Sequence, residues 1–186
     1  LNRLTLTADN SLYAWNAHSL ETVLGLFDEM TLPYELNIHE LKDMLDQADV
    51  FALASNATAC DKISIAVYGR APLMISAGCV KNTYGKCGEK KDAFSYITDR
   101  QGMKEPIYNN CVHCYNVIYN AKPTSYHKYA DRLSELGIGR FKIELTDEDK
   151  ATAAGIIDYY INTKGDKDMA FPVADHTTGH IAKGAI

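Results

Sequence analysis

The amino-acid sequence predicts an α/β fold built mainly of parallel strands. Short runs of β-forming residues alternate four times with segments of helical periodicity, at the lengths of strand–helix–strand units. With 186 residues, of which 46% are hydrophobic and 23% charged, the chain has the composition of one globular domain with a substantial core. A parallel sheet of this kind must be covered on both faces.

The first part of the chain predicts two pairs of a strand and a helix. A strand-like segment runs from Leu4 to Asn16, and a second strand is predicted over residues 31–36. Between them, apolar residues recur at i, i+3, i+4 and i+7 and predict an amphipathic helix: Leu20, Val23, Leu24 and Phe27. Asn37 is the predicted N-cap of a second helix, whose apolar residues are Leu41, Met44 and Leu45.

The second part predicts two further pairs. After a polar break at residues 55–61, an apolar run over residues 63–68 predicts a strand. A third helix, ended by Gly137 in the left-handed conformation, is predicted from Tyr129, Ala130, Leu133 and Leu136. A fourth strand is predicted from the alternation of Phe141, Ile143 and Leu145. Thr146 and Asp149 have the spacing of a capping box and open a last predicted helix, with Ile156, Ile157 and Tyr160.

Four of the five cysteines lie within one 36-residue stretch, spaced C-x7-C-x23-C-x2-C: Cys79, Cys87, Cys111 and Cys114. Thiolates suit zinc and iron-sulfur clusters, so we predict that this cysteine quartet forms one metal site. The alternatives are two disulfides, or thiols that only pack. The fifth cysteine, Cys60, leaves an odd count, and no secretory signal pattern opens the chain. Both observations favour a reducing, cytoplasmic compartment.

The cysteine quartet belongs to an inserted module over residues 79–123. Within it, β-like segments at residues 94–98 and 105–108 flank a turn from Asp99 to Gly102, which predicts a β-hairpin. The module follows a predicted parallel strand. We therefore expect it at the carboxyl end of that strand, where α/β folds hold their functional sites.

The net charge of −5 disfavours a broad electrostatic surface for nucleic acid. A local exception near Cys87 is a group of four lysines: Lys81, Lys86, Lys90 and Lys91. Such a group in a polar loop is typically solvated surface, although it would favour an anionic substrate beside the cysteines. No stretch reaches the roughly 18 apolar residues of a membrane helix. We expect a soluble, cytoplasmic protein without membrane contact.

Three side chains outside the module are candidates for catalysis: Glu35, Arg70 and His180. Glu35 follows a predicted strand, where a carboxylate can act as acid or base, or simply start a helix or pair with Arg70. Arg70 can hold an anionic group through its planar fork, or equally a structural carboxylate. His180 lies four residues after His176, the spacing of two metal ligands on a helix. This segment is predicted to be a loop, however, so we expect no metal at these two histidines.

Five segments, taken in order, resemble the collagenase-like peptidases, peptidase family 32 of unknown catalytic type (U). They are TLPYELNIHEL (31–41), VYGRAPLMISAGC (67–79), ITDRQG (97–102), NNCVHCYNVIYN (109–120) and TTGHIAKGAI (177–186). The resemblance runs from about Leu12 to the end of the chain. It implies a (β/α) TIM-barrel-like domain, of which residues 1–186 are the later part. The chain starts at Leu1 and not at Met, and we expect it to belong to a larger protein.

The resemblance implies a peptidase, and thus a hydrolase, of unknown catalytic type. Relatives also take part in RNA base hydroxylation and in ubiquinone hydroxylation, and several carry a four-iron four-sulfur cluster on cysteines. In the family the segment ending in Thr178, Gly179 and His180 recurs near the end of the barrel. This chain departs from the signature because Pro72 stands at its first cysteine and Tyr68 at a position that is often His. A Cys and His pair for nucleophilic catalysis is therefore not carried over.

Three hypotheses follow for the function. The first is a catalytic domain with a hydrolytic or hydroxylating site at the barrel mouth, acting on peptide or on RNA or cofactor. The second is a module stabilised by zinc or a four-iron four-sulfur cluster that binds protein or RNA without chemistry of its own. The third is a structural half-barrel that needs a partner, either the missing N-terminal part of the same domain or a second copy. Unpaired strands and exposed apolar faces would then favour association.

Overall fold

The computed structural model describes residues 4–48, 62–87, 91–162 and 169–184, which form two β-sheets and five α-helices. The predicted polar break at residues 55–61, together with Cys60 and Lys90, lies outside the described residues. The strands of the first sheet are β1 (Thr7–Ala8), β2 (Glu29–Leu32), β3 (Ile63–Gly69), β8 (Thr124–Ser125) and β9 (Arg140–Ile143). Those of the second sheet are β4 (Pro72–Ser76), β5 (Ala93–Thr98), β6 (Lys104–Asn110) and β7 (Tyr115–Tyr119). The helices are α1 (Ala17–Leu26), α2 (Ile38–Gln47), α3 (Val80–Thr83), α4 (Ala130–Glu135) and α5 (Lys150–Asn162).

The first sheet is mostly parallel, which confirms the predicted α/β class. Its parallel strands follow the order β1, β2, β3, β9, and the short β8 adds an antiparallel pair at the end of β3. Within the described residues this sheet is open and does not close into a barrel. Its core is made of fully buried side chains from strands and helices: Leu20, Met30, Leu32, Leu41, Ile65, Leu133 and Ile181. Across the same ranges of the chain, no helix is long and apolar enough to cross a bilayer.

Local side-chain chemistry predicts the start of α2 and the end of α4, but not the start of α5. Asn37 caps α2 as expected, because its Oδ1 accepts the N–H groups of His39 and Glu40 at 2.8 and 3.0 Å. Gly137 has a φ of 83° just past Leu136, the C-cap of α4, which is the conformation predicted for the end of this helix. The predicted start of α5 at Thr146 is wrong. Asp149 caps this helix instead, because its Oδ1 accepts the N–H of Thr152 at 2.9 Å and the helix starts at the next residue.

The predicted strand from Leu4 to Asn16 is wrong for most of its length. Only Thr7–Ala8 is strand, residues 10–12 form a 3-10 turn, and Tyr13 has a φ of 49°, which no strand tolerates. No strand is predicted from the sequence at Pro72–Ser76, where the structure has β4 with this proline as its first residue. β4 is an edge strand of the second sheet. Proline has no backbone N–H, and it is tolerated here because an edge strand can leave that hydrogen bond unmade on its outer side.

The second sheet is antiparallel, in the order β4, β7, β6, β5, and is inserted between β3 and β8. The predicted hairpin is confirmed as β5 and β6. Its turn is held by Asp99, whose Oδ1 accepts the N–H groups of Gln101 and Met103 at 2.8 Å each, and Gly102 takes the required positive φ of 82°. The insertion is therefore a small sheet of its own, next to the carboxyl end of β3, and its first strand, β4, precedes the module predicted over residues 79–123.

Candidate functional site

The topology of the second sheet brings the two cysteine pairs to one of its ends. Ser76, near the end of β4, pairs with Asn116 at the start of β7. Cys79 follows Ser76 by three residues, and the turn that holds Cys111 and Cys114 directly precedes β7. The side chain of Asn116 donates to the Gly78 carbonyl at 2.7 Å, which joins the two segments.

Lys81 connects the cysteine segments further. Its Nζ lies 2.8 Å from the carbonyl oxygen of Lys91 and 3.5 Å from Sγ of Cys111. The N–H of Lys86 donates to the carbonyl of Lys81 at 2.8 Å, so Cys87 lies near this lysine as well. All four members of the cysteine quartet thus belong to one end of the antiparallel sheet.

The cysteine quartet fits a metal in its chemistry but is not assembled around one point. All four thiols are free, and Cys87 and Cys114 are exposed. Within the described ranges, no three His, Cys, Asp or Glu side chains are grouped so that they could hold a metal ion. A site of four thiolates carries excess negative charge, and the ammonium group of Lys81 beside Cys111 offsets part of it.

Glu35 and His180 line one small cavity of about 180 Å³ at the carboxyl ends of the parallel strands. The Oε2 atom of Glu35 is buried and has no hydrogen-bond partner among the described residues, while Nδ1 of His180 lies 3.1 Å from the Gly184 carbonyl. The cavity is completed by Asn10, Ser11, Tyr13, Tyr34, Ala71 and Pro72. Two of the three predicted catalytic residues are therefore brought together, although they are far apart in the sequence.

Arg70, the third predicted residue, has its guanidinium engaged by protein groups. Nε lies 2.7 Å from Oδ1 of Asp147, and Nη1 donates to the carbonyls of Asn120, at 3.1 Å, and of Ala121. These contacts match the structural alternative considered for Arg70. The residue lies in the wall of a second, larger cavity that adjoins the first one.

This larger cavity is a cleft of about 550 Å³ between the two sheets. One wall is a row across the antiparallel sheet, in which cross-strand partners follow one another: Phe94, Tyr108, Val117 and Ile75. The other side is formed by polar residues at the carboxyl ends of the parallel strands: Asp9, Asn10, Tyr34, Glu144 and Thr146. The cleft was not predicted from the sequence. Its only sequence signal is that Tyr108 and Val117 alternate with their neighbours, which indicates that they lie on one face of a sheet but not what that face packs against.

The polar side of the cleft is an acidic network. Tyr34 donates a hydrogen bond to Oε2 of Glu144, whose Oε1 lies 2.8 Å from Nζ of Lys142. The same ammonium group contacts Asp9 at 3.0 Å. Burial, and then the hydrogen bond to Glu144, raise the pKa of Tyr34, and burial followed by the charge of Glu144 raises the pKa of Tyr119. Both hydroxyl groups therefore remain protonated at the polar side of the cleft.

The two histidines near the C-terminus lie in different environments. Whereas His180 lines the Glu35 cavity, Nδ1 of His176 lies 2.7 Å from the Val173 carbonyl, and its ring packs against His127 and Phe171. His127 stacks on Phe171 with ring centroids 4.3 Å apart, beside a cavity of about 480 Å³. Burial, and then the charges of His176 and Lys128, lower the pKa of His127 to about 4.

No family model, no curated protein and no solved structure matches this chain. The functional argument therefore depends on the residues and geometry described above.

Proposed function

We propose that this chain is part of a collagenase-like peptidase family protein whose inserted sheet carries a metal or iron-sulfur site on Cys79, Cys87, Cys111 and Cys114. One observation carries the proposal: two cysteine pairs separated in sequence belong to the same end of the antiparallel sheet, with all four thiols free. A four-iron four-sulfur cluster would supply electron transfer there, whereas zinc on four cysteines would be a structural site.

The strand order supports a segment of a (β/α) barrel. The parallel strands lie side by side in the same order as they occur in the sequence: β1, β2, β3 and β9. A barrel has this order, whereas in a doubly wound sheet the strand order reverses at a switch point. Near the β1 edge, Leu4, Leu6 and Leu26 are 81%, 53% and 73% exposed. We infer that the missing N-terminal part of the same domain, or a second copy, pairs with β1 and covers these side chains.

The peptidase reaction is assigned to the cavity that Glu35 and His180 share. The buried Oε2 of Glu35, which has no hydrogen-bond partner within the described residues, would accept a proton from water as the water oxygen attacks the peptide carbonyl carbon. His180 would donate a proton to the leaving amine as the carbon–nitrogen bond breaks. Arg70 would hold the wall beside this cavity in place through Asp147.

Metal analysis of protein purified without oxygen tests the cysteine site. Iron and sulfide near about four each per chain would identify the cluster, and zinc without iron would identify a structural site. The Cys79→Ser, Cys87→Ser, Cys111→Ser and Cys114→Ser variants should each lose the metal, whereas Cys60→Ser, outside the quartet, should retain it. Protein without metal, or variants that all retain it, would refute the site.

Digestion of gelatin or casein tests the hydrolytic assignment. Activity should be lost in Glu35→Gln and His180→Gln and should persist in His39→Gln, a matched change of an exposed histidine on α2. Persistence in Cys79→Ser would separate hydrolysis from the metal. Absence of digestion in the presence of a bound cluster would favour the alternative, an iron-sulfur protein that supports hydroxylation of RNA or a cofactor. Zinc without digestion would favour a binding module.

A further inference from the structure

We propose that the cleft between the two sheets binds an extended peptide segment through an arginine or lysine side chain of that peptide. The choice of a peptide rests on the proposed function, and the charge selectivity is a new inference from the cleft itself. Its volume of about 550 Å³ falls within the range of roughly 300–1,000 Å³ that is usual for ligand sites.

The wall of the cleft is apolar and unusually exposed. Ile75 is 72% exposed and Phe94 36% exposed, and both lie in the row that crosses all four strands of the antiparallel sheet. Aromatic and β-branched side chains in such a continuous row are normally covered. The aliphatic stem of an arginine or lysine can pack on this row, and its charged head can lie over the rings of Phe94 and Tyr108.

The opposite side supplies the complementary charge. Among the described residues, Asp9 and Glu144 share the one ammonium group of Lys142, so this network carries excess negative charge. Arg70, the cation among the described residues that line the cleft, is neutralised by Asp147 at 2.7 Å. A cationic side chain is therefore attracted into the cleft, and a phosphate backbone is repelled, which favours peptide over RNA as the ligand.

The position of the cleft connects it to the proposed catalytic cavity. Asn10, Tyr34 and Pro72 line both spaces. A peptide whose basic side chain lies between the sheets would extend past these three residues toward Glu35 and His180. The cleft would then select substrates with a basic residue near the bond that is cut.

Fluorescence anisotropy of labelled peptides tests the inference on the full chain. The probe is a fluorescein-labelled Gly-Leu-Arg-Gly-Leu-Gly peptide, and the matched peptide carries citrulline, which is neutral and nearly isosteric, in place of arginine. We expect the arginine peptide to bind at least about tenfold more tightly, which corresponds to about 1.4 kcal/mol. In the double variant Asp9→Asn with Glu144→Gln the ratio should fall below about twofold.

Control variants make the result specific. Asp43→Asn with Asp158→Asn changes two exposed helical carboxylates and should leave the tenfold ratio intact. Phe94→Ala should weaken both peptides and lower their ratio only in part, because the charged head keeps the ring of Tyr108 and the acidic side of the cleft. Asp9→Asn alone serves if the double variant fails to fold. An unlabelled oligouridylate that displaces the peptide would overturn the inference. Equal affinities in the wild type, or an unchanged ratio in the acidic double variant, would overturn it too.

The peptide-binding and digestion experiments test the charge selectivity and the hydrolytic reaction separately. Gelatin digestion without arginine selectivity would overturn the charge inference and leave the proposed reaction standing. Arginine selectivity without any digestion would support the cleft as a basic-peptide site and count against hydrolysis.

Discussion

Arg70 and Asp147 form an ion pair in which Nε lies 2.7 Å from Oδ1 and the side chains are only 15% and 10% exposed. Arg70 directly follows β3, and Asp147 lies in the loop after β9. Asp147 also accepts a hydrogen bond at 3.2 Å from the hydroxyl group of Tyr96 on β5. The pair therefore holds the antiparallel sheet against the carboxyl edge of the parallel sheet, where the cleft is formed.

Replacing Arg70 with alanine should destabilise the protein by about 3 kcal/mol, because it leaves a buried carboxylate without its partner. Arg70→Lys should recover only part of this loss, since an ammonium group cannot reproduce the fork that reaches Asp147 and the Asn120 carbonyl together. Urea unfolding followed by circular dichroism measures both. Lys42→Ala removes an exposed ion pair on α2 and is expected to change little. Equal effects of Arg70→Ala and Lys42→Ala would contradict a structural role for the buried pair.

Gly69→Ala should destabilise the protein by about 1–3 kcal/mol through overpacking. A Cβ at this position would lie 2.8 Å from Cβ and 3.2 Å from the carbonyl oxygen of Glu144, so the acidic side of the cleft would have to move. The matched change is Gly25→Ala in α1, where an added Cβ meets no atom of the described residues within 4 Å. This change should stabilise the helix by about 0.5 kcal/mol. Thermal unfolding of the two variants should shift in opposite directions. A Gly69→Ala variant as stable as the wild type would show that β3 does not approach Glu144 this closely.

Acidification should weaken the fold through His127. Its pKa is lowered from 6.5 to about 4, so the unfolded chain takes up a proton at a higher pH than the folded protein. The contribution to stability is complete above pH 6.5 and is lost as the pH falls from 6.5 towards 4. His127→Phe keeps a ring to stack on Phe171 but cannot titrate, and its urea midpoint should depend less on pH across this window. The exposed His39→Gln variant is the control and should follow the wild type. Parallel profiles for wild type and His127→Phe would exclude His127 as the titrating group.

Lys81→Glu should lower the metal affinity of the cysteine quartet by roughly 10- to 100-fold, the usual effect of losing a group that supports the ligands. The change reverses the charge 3.5 Å from Sγ of Cys111 and adds repulsion to a site of four thiolates. Competition with a chromogenic chelator measures the affinity. Lys104→Glu makes the same charge change at the start of β6, the opposite end of this sheet, and should leave the affinity unaltered. Equal losses in both variants would point to net charge alone.

Several features of the fold were predictable because they depend on local chemistry. The cap at Asn37, the left-handed Gly137 and the Asp99 turn each depend on residues within five positions of one another, and the structure confirms them. The strand at Pro72–Ser76 was missed because proline signals a break locally, whereas an edge position in a sheet makes it acceptable.

The sequence by itself determined the α/β class, the parallel strands, the inserted hairpin and the candidate residues, since hydrophobic periodicity and capping are encoded over short stretches. Only the tertiary structure decided which distant residues meet. It placed Glu35 with His180 in one cavity, committed Arg70 to Asp147, and opened an acidic, aromatic cleft between the sheets. These relationships depend on strand order and register, which are properties of long-range packing that no local pattern specifies.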